Sequence, residues 1–366
     1  MRKHFDKTFL WIILLLSGVG FIIFTSASLG LLARSNSELF TSVAWKQLIL
    51  GLGLGLASLF TIARIKYGFW RKYAFYIFLG TIILTLMVFI PGIGLNHNGA
   101  TRWINLGFIS FQPSELLKYG FIIYIAAWYS NKKKDVTKIS FGLVPFVVLS
   151  GIVAAILVAQ PDTDTLGVML VGAAAIYFTA GAPWKHIFIM GCIGLVGLGT
   201  VIMMKPYIRE RLLTFIDPSK NGLTSGYQIQ QSLIAIGSGQ VVGRGFGQSV
   251  QKFSYLPEPV GDSIFAVAAE EFGFIGTSLL LLLFVSFAAR GLKIASKAQD
   301  AFGRYVTIGI ITMITTQACM NIAAMLAIIP LSGQTLPFVS HGGTALMITL
   351  ATMGIILNIS KYQTRS

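Results

Sequence analysis

Residues 264–289 read IFAVAAEEFGFIGTSLLLLLFVSFAA, a segment that is apolar except for Glu270, Glu271 and a few small polar residues. A run of about 18 or more such residues is long enough to cross the hydrocarbon core of a bilayer as an α-helix. Comparable runs recur along the chain at 9–30, 43–63, 73–91, 114–130, 140–159, 165–181, 186–204, 304–327 and 341–360. The sequence therefore predicts an all-α polytopic membrane protein with about ten transmembrane helices.

The composition excludes a soluble domain and argues against a nucleic-acid partner. Of the 366 residues, 55% are hydrophobic and 11% are charged, whereas soluble domains carry about 25% charged residues. The net charge of +15 comes from short Lys and Arg clusters between the apolar runs, with no continuous basic stripe. Such a distribution indicates membrane topology.

The positions of Lys and Arg predict the orientation of the chain. With the N-terminus in the cytoplasm, 18 basic residues fall on the cytoplasmic side and nine on the other side. Six of those nine lie in one long segment, where the positive-inside rule has little force. We therefore predict cytoplasmic N- and C-termini, an even number of helices, and a single integral membrane domain over residues 1–366.

The long segment, residues 205–262, connects the seventh and eighth predicted helices on the non-cytoplasmic side. Long loops in compact domains are usually functional or disordered. Amphipathic stretches such as 226–237 favour short helices packed on the membrane surface. The segment also contains Gly237, Gly239, Gly243, Gly245 and Gly247. They have no strand–turn–helix context of a phosphate-binding loop, so they predict tight turns.

Small residues within the apolar runs have structural interpretations. Gly51, Gly53 and Gly55 lie within one predicted helix and predict close helix packing. Cys192 and Cys319 lie in apolar runs and are predicted to be core residues. Neither cysteine has a metal-ligand spacing to another Cys or His, so the sequence predicts no metal site built from them.

Asp262 is the candidate catalytic residue. It lies in YLPEPVGDSIF, residues 255–265, where two prolines and a glycine constrain the backbone immediately before an apolar helix. One interpretation is a helix N-cap, a position that Asp favours. The other is a general base whose pKa is raised by partial desolvation at the membrane boundary. The pattern alone leaves both open.

Other charged residues suggest a polar site near the outer face. Glu270 and Glu271 lie inside an apolar segment, where ionisable groups usually face a cavity or a partner. Glu115 and Lys118 share one helix face and either pair with each other or line a cavity below Arg102. A cationic set suited to a pyrophosphate comprises Arg102, Arg209, Arg211, Arg244 and Lys252.

Several motifs closely resemble the SEDS family of cell-wall polymerases, the FtsW and RodA proteins. They include NGATRWI (98–104), FQPSELLK (111–118), QPD (160–162), GYQ (226–228), GRGFG (243–247), LPE (256–258), Asp262, Glu270–Glu271 and LPFVS (336–340). The stretch RLLTFIDP (211–218), with Tyr227–Gln228 and Gln251–Lys252, favours the division-associated FtsW branch. The chain departs from the family pattern at Val260–Gly261, His341 and Thr163–Asp164.

The resemblance implies a peptidoglycan glycosyltransferase that polymerises lipid II at the outer face of the inner (cytoplasmic) membrane, with Asp262 as base. The expected substrate-binding residues are Arg102, Glu115, Lys118, Arg209, Arg211, Arg244, Lys252, Glu258, Glu271 and Ser340. A divalent cation, Mg or Mn, would further compensate the negative charge of the pyrophosphate. The implied partners are a class B penicillin-binding protein, other division proteins and membrane lipids.

Alternatives at this point are a lipid II flippase, a RodA-like elongation polymerase and a scaffold that only positions its partner. A flippase would use the membrane-embedded charges as a polar path. The lack of a detectable internal repeat and the concentration of charge on one face argue against it.

Overall fold

The computed structural model describes residues 5–33, 43–97, 100–105, 107, 110–132, 135–217 and 225–363. Within these ranges the chain forms 14 α-helices and one small sheet. The first half contains α1 (Lys7–Ala33), a π-helical segment (Lys46–Leu54), α2 (Gly55–Ile62), α3 (Gly68–Lys72), α4 (Ala74–Leu86), a 3-10 turn (Met87–Phe89), α5 (Pro113–Asn131), α6 (Leu143–Ala159) and α7 (Thr163–Thr179). The second half contains α8 (Trp184–Met204), α9 (Pro206–Ile216), α10 (Ser225–Ser238), α11 (Gln251–Ser254), α12 (Ile264–Ser296), α13 (Ala301–Met325) and α14 (Gly343–Ser360).

Each of the ten predicted membrane helices coincides with a helical stretch of the structure, which confirms the all-α polytopic fold. Six of the described stretches are long and apolar enough to cross a membrane, and three shorter apolar helices accompany them. The tenth is α5, whose apolar sequence is interrupted by Glu115 and Lys118. The orientation of the termini and the single domain over residues 1–366 stay predictions.

The second predicted helix, residues 43–63, packs closely on α14 because its glycines face α14. A Cβ on Gly51 would lie 3.1 Å from Leu346 Cδ2, and one on Gly55 would lie 2.7 Å from Leu350 Cδ1. From the other side, a Cβ on Gly354 would lie 2.6 Å from the Leu59 carbonyl oxygen. The packing prediction is therefore confirmed for Gly51 and Gly55. It is wrong for Gly53, whose Cβ would approach only its own helix.

Helix α12 is broken at Gly273, where φ is +63°. The glycine-rich segment after α10 replaces the missing helical hydrogen bonds. The amides of Arg244 and Gly245 donate to the carbonyls of Glu270 and Glu271 at 3.0 and 2.9 Å. On the other side of the break, the Phe274 and Ile275 amides donate to the carbonyls of Gln240 and Val241. The backbone groups freed by the break are thereby satisfied, as burial requires.

This contact refines the prediction for the loop glycines. Gly243, Gly245 and Gly247 have positive φ, which agrees with turns. Gly237 lies within α10, so the turn prediction is wrong there. Gly239 and Gly243 have a second role, because a Cβ on them would lie 1.9 and 2.2 Å from the carbonyl oxygens of Ala269 and Glu271. Backbone approach to α12 therefore requires glycine at both positions.

The long loop over residues 205–262 contains the short helices that its amphipathic pattern predicts, namely α9, α10 and α11. Helix α10 packs on α12 and α13, and its Ser232 hydroxyl donates to the Met325 sulfur at 3.5 Å. Helix α8, which contacts α9, is almost entirely exposed, as expected of a helix that faces lipid. Cys192 on α8 and Cys319 on α13 are both exposed, so the prediction that they are core residues is wrong.

A three-stranded antiparallel sheet precedes α5 and was not predicted from the sequence. Its strands are β1 (Gly94–His97), β2 (Ala100–Asn105) and β3 (Ser110–Phe111), paired in the order β1-β2-β3. The strands have two to six residues, which is too short for a reliable alternating pattern. The sheet positions Arg102, on β2, next to the turn between α6 and α7.

Candidate functional site

Asp262 lies immediately before α12, but it is not the capping residue. The N-cap of α12 is Ser263. A tight turn holds this segment, since the amides of Gly261 and Ser263 donate to the Glu258 carbonyl at 3.0 and 3.3 Å. Asp262 therefore does not cap α12, and the N-cap interpretation is not supported.

The pKa of Asp262 is raised from 3.8 to about 6. Desolvation is the main cause, and the negative charge of Glu258 adds to it. Arg211 acts in the opposite direction, while Asp164 contributes a smaller increase. A carboxylate in this range is mostly ionised at neutral pH, yet it is a stronger base than an ordinary aspartate. Both properties suit a general base.

Two side chains from other elements fix the backbone around Asp262. The Ser340 hydroxyl donates to the Gly261 carbonyl at 2.8 Å and accepts from the Leu336 amide at 2.8 Å. The buried Asn321 amide donates to the carbonyls of Asp262 and Gln334, each at 2.7 Å. The segment that leads to α14 and the Asp262 turn are thus joined through α13. Ser340, predicted to bind substrate, contacts the backbone of the site here.

Asn321 and its neighbour Gln317 were missed in the sequence. Gln317 accepts from Lys118 Nζ at 3.0 Å and donates to the Thr335 carbonyl at 3.0 Å. The two amides are four residues apart on α13, and so they share one helix face. A pair of amides at this spacing within an apolar helix is a signal that could have identified them.

Glu115 and Lys118 pair with each other, and Glu115 but not Lys118 also lines a cavity. The Lys118 Nζ lies 2.9 Å from Glu115 Oε1, and both residues are buried. Glu115 also lines a small cavity together with Gln317, Ser340 and His341. An ion pair and a polar cavity therefore occur at the same place.

Arg102 does not line this cavity. Its guanidinium donates to the Gln160 carbonyl at 3.1 Å and to the Pro161 carbonyl. The prediction that it lies in one cavity with Glu115 and Lys118 is corrected accordingly. In the structure Arg102 stabilises the turn between α6 and α7, because it pairs with the carbonyls of the two residues that follow α6.

Lys252 and Glu271 form a buried ion pair. The Lys252 Nζ lies 2.6 Å from Glu271 Oε1, and the two side chains are 0% and 1% exposed. Ser26 of α1 donates to Glu271 at 2.7 Å and accepts from Lys252 at 3.0 Å. Neither charged group has a face open to substrate. The structure corrects their predicted contact with substrate to a packing role between α1, α11 and α12.

Glu270 has a separate set of partners. It accepts from the Ser249 hydroxyl at 2.5 Å and from the Val250 amide at 3.0 Å. Arg244 lies beyond it, with Nε at 3.6 Å from Glu270 Oε1 and a side chain that is 42% exposed. The sequence expectation that Glu270 and Glu271 would have partners is confirmed.

The five predicted cations do not form one exposed patch. Arg102 contacts carbonyls, Lys252 is buried, and Arg244 lies near Glu270. Arg211 pairs with Asp164 at 2.8 Å, and Arg209 is exposed on the same helix, α9. Of the five predicted cations, three have a guanidinium group that an anion could reach, namely Arg209, Arg211 and Arg244. Glu258 is also exposed, as the approach of a substrate would require.

His341 contacts the Asp262 turn through the backbone. Its amide donates to the Val260 carbonyl at 2.7 Å, and its ring stacks on Phe24 with centroids 6.0 Å apart. Burial, with a smaller effect of Lys46, lowers the pKa of His341 to about 4, so the ring is neutral at physiological pH. Two departures from the family pattern, Val260 and His341, are thus direct contacts of each other.

Comparisons with known proteins agree with the fold and the motifs. The FtsW/RodA/SpoVE model, described as a cell cycle protein, matches residues 7–365. The chain is 39% identical to stage V sporulation protein E of Bacillus subtilis over 98% of this chain and 97% of that protein. It is 37% identical to the protein named probable peptidoglycan glycosyltransferase FtsW of Geobacter sulfurreducens, over 98% of this chain and 95% of that protein.

Solved structures share the fold of this chain. The fold matches a chain of a peptidoglycan synthase complex that coordinates polymerization and crosslinking, with a TM-score of 0.81, 26% identity and 99% of each chain covered. It also matches the rod shape determining protein RodA of Thermus thermophilus, with a TM-score of 0.70, 24% identity, and 99% and 98% of the two chains covered. This chain is accordingly a multi-pass protein of the cytoplasmic membrane. It belongs to the FtsW/RodA/SpoVE family, the SEDS proteins.

Proposed function

We propose that this chain is a peptidoglycan glycosyltransferase that polymerises lipid II into glycan strands at the outer face of the cytoplasmic membrane. The observation that carries the proposal is Asp262, a carboxylate with a pKa of about 6 on a turn held by α13 and the segment before α14. Similarity over 98% of the chain to a protein named as a peptidoglycan glycosyltransferase supports the reaction class.

In the proposed reaction Asp262 removes a proton from the acceptor sugar hydroxyl. The hydroxyl oxygen then forms a bond to the anomeric carbon of the donor, while the bond from that carbon to the pyrophosphate oxygen breaks. The proton remains on Asp262, and the electron pair leaves with the lipid pyrophosphate. One base is sufficient, because the leaving group needs charge compensation and no proton. Hydrolytic glycosidases differ in that they generally use two carboxylates.

Arg209, Arg211 and Arg244 are the proposed contacts of the pyrophosphate, since guanidinium groups pair well with phosphate oxygens. Glu115, Lys118, Glu258 and Ser340 would shape the site around the sugar. A divalent cation would supply further charge compensation. The described residues contain no group of three His, Cys, Asp or Glu side chains that could hold a metal ion. A divalent cation bound by the described residues would therefore need phosphate oxygens of the substrate as additional ligands.

For the biological role we propose septal synthesis together with a class B penicillin-binding protein and other division proteins. The stretch RLLTFIDP at residues 211–218 and the similarity to FtsW proteins support this role. The peptidoglycan synthase complex among the matched structures supports the transpeptidase partner. A RodA-like role in elongation is the alternative. Depletion of the chain in its host separates them, because septal synthesis predicts filaments and elongation predicts rounded cells.

The decisive test of the activity uses the purified protein in liposomes that contain lipid II, with and without the transpeptidase partner. Polymer formation is measured on gels, and transbilayer movement of labelled lipid II is measured in parallel. Glycan strands without accelerated flipping support the proposal. Accelerated flipping without polymer, in both preparations, would assign the chain to the flippase alternative.

A further inference from the structure

Asp164 has no role in the reaction proposed above, yet it joins three elements beside Asp262. It lies in the first turn of α7. Its Oδ2 accepts from Arg211 Nη1 of α9 at 2.8 Å and from the Gly333 amide at 3.1 Å. Gly333 belongs to the segment that continues to Ser340, and Ser340 holds the Gly261 carbonyl. One carboxylate oxygen therefore connects α7, α9 and the segment that supports the catalytic turn.

A second contact fixes the same helix pair. The hydroxyl groups of Thr163 and Tyr207 lie 3.3 Å apart, and the Arg211 guanidinium lies 5.7 Å from the Tyr207 ring centroid. Helix α9 is therefore attached to the start of α7 at two adjacent points. Arg211 contacts an aromatic ring and a carboxylate, so its guanidinium has a defined position while the side chain remains 27% exposed.

Stability alone is a poor explanation for this ion pair. The side chains of Arg211 and Asp164 are 27% and 22% exposed, and exposed or partly exposed pairs usually contribute little to the free energy of unfolding. The charges act on Asp262 instead. Glu258 and Asp164 raise the pKa of Asp262, and Arg211 lowers it. These three are the charged groups that act on the carboxylate, from its own turn, from α7 and from α9.

We propose that Asp164 is a positioning residue for the glycosyl transfer. Through Arg211 and the Gly333 amide it holds a cation of α9 beside Asp262, and it balances the charge of that cation. The catalytic carboxylate thus keeps its basicity while a guanidinium group is available to the donor pyrophosphate. The inference rests on the proposed function, in which Asp262 is the base.

The test is the pH dependence of polymerisation by the full-length protein in liposomes. Asp164→Asn keeps the shape of the side chain and removes its charge, which leaves Arg211 unbalanced. The acid limb of kcat/KM is expected to move to lower pH, by on the order of half a pH unit. Arg211→Gln is expected to move it to higher pH, and the double variant is expected to return it toward the wild-type midpoint. A merely structural role predicts no shift in the midpoint.

Two further variants complete the design. Glu210→Gln removes an exposed carboxylate from the residue next to Arg211, and it is expected to leave the midpoint unchanged. Asp164→Glu retains the charge and is expected to do the same, which keeps the inference testable if Asp164→Asn does not fold. An unchanged midpoint in Asp164→Asn, or a shifted one in Asp164→Glu, overturns the inference. Wild-type protein that makes no polymer at any pH would instead refute the proposed function.

Discussion

The buried pair of Lys252 and Glu271 gives a prediction that separates packing from catalysis. Replacing Lys252 by Met keeps the length of the side chain but leaves Glu271, which is 1% exposed, without its counter-charge. The Ser26 hydroxyl and the Ser249 amide remain as donors to Glu271 Oε1, at 2.7 and 3.4 Å. The other oxygen, Oε2, is buried with no hydrogen-bond partner among the described residues. Removing one partner of such a pair typically costs about 3–5 kcal/mol.

The cost converts into a measurable change in melting temperature. With an unfolding entropy of about 2.1 cal/mol/K per residue, 366 residues give about 0.8 kcal/mol per degree. Lys252→Met is therefore expected to lower the Tm by about 4–6 °C, measured by tryptophan fluorescence in detergent or nanodiscs. The double variant Lys252→Met with Glu271→Gln removes both charges, and it is expected to recover most of the loss.

Lys138→Met is the matched control for this experiment. The Lys138 Nζ lies 2.8 Å from Asp135, but its side chain is 64% exposed, so no change in Tm is expected. A Lys252→Met protein as stable as wild type would refute the burial argument. A double variant that folds normally but does not polymerise lipid II would refute the packing role and return both charges to the substrate site.

Three other predictions concern the loop glycines, the Asp262 backbone and pH. Gly243→Ala places a Cβ 2.2 Å from the Glu271 carbonyl at a φ of +86° and should lower the Tm. By contrast Gly237→Ala, in helix α10 with nothing within 4 Å, should stabilise the protein by about 0.5–1 kcal/mol. Equal effects of the two substitutions would contradict the close approach of Gly243 to α12. Asn321→Leu leaves the carbonyls of Asp262 and Gln334 without their donor, so the free energy of unfolding should fall by about 1–3 kcal/mol for each. A large fall in kcat is also expected, and a normal kcat would show that Asn321 does not support the site. Activity should fall as pH drops through about 6, because protonated Asp262 cannot act as base; an unchanged rate at pH 5 would contradict this.

The sequence was sufficient for the features that depend on local composition. Apolar run lengths located the helices, since the hydrocarbon thickness sets a minimum length for each. Amphipathic periodicity located the short helices of the long loop over residues 205–262, such as α10. The constrained backbone before an apolar segment made Asp262 a candidate, and the resemblance to the SEDS family gave it the role of base. In each case the physical cause acts within one contiguous stretch of chain.

Features that depend on distant partners were not accessible. Lys252 appeared as an outer-loop cation, but its partner Ser26 is 226 residues away. Arg102 meets Gln160 and Pro161 across 58 and 59 residues. The break at Gly273 also depends on hydrogen bonds from another segment, and nothing in the local pattern of α12 requires it. Pairing between remote segments decides whether a charge is buried or free, and composition does not record that pairing.

The most direct test of the central claim is polymerisation by Asp262→Asn in lipid II liposomes. The pKa of Asp262 is about 6 in the folded protein and 3.8 ordinarily, so its ionised form destabilises the fold above pH 6. Asp262→Asn cannot ionise, and the variant should therefore have a Tm at pH 8 no lower than that of wild type. Glu210→Gln, which removes an exposed carboxylate of the same long loop, is the control and should retain activity. The account predicts that folded Asp262→Asn makes no glycan strands while Glu210→Gln does. Polymerisation by Asp262→Asn at near the wild-type rate would contradict it.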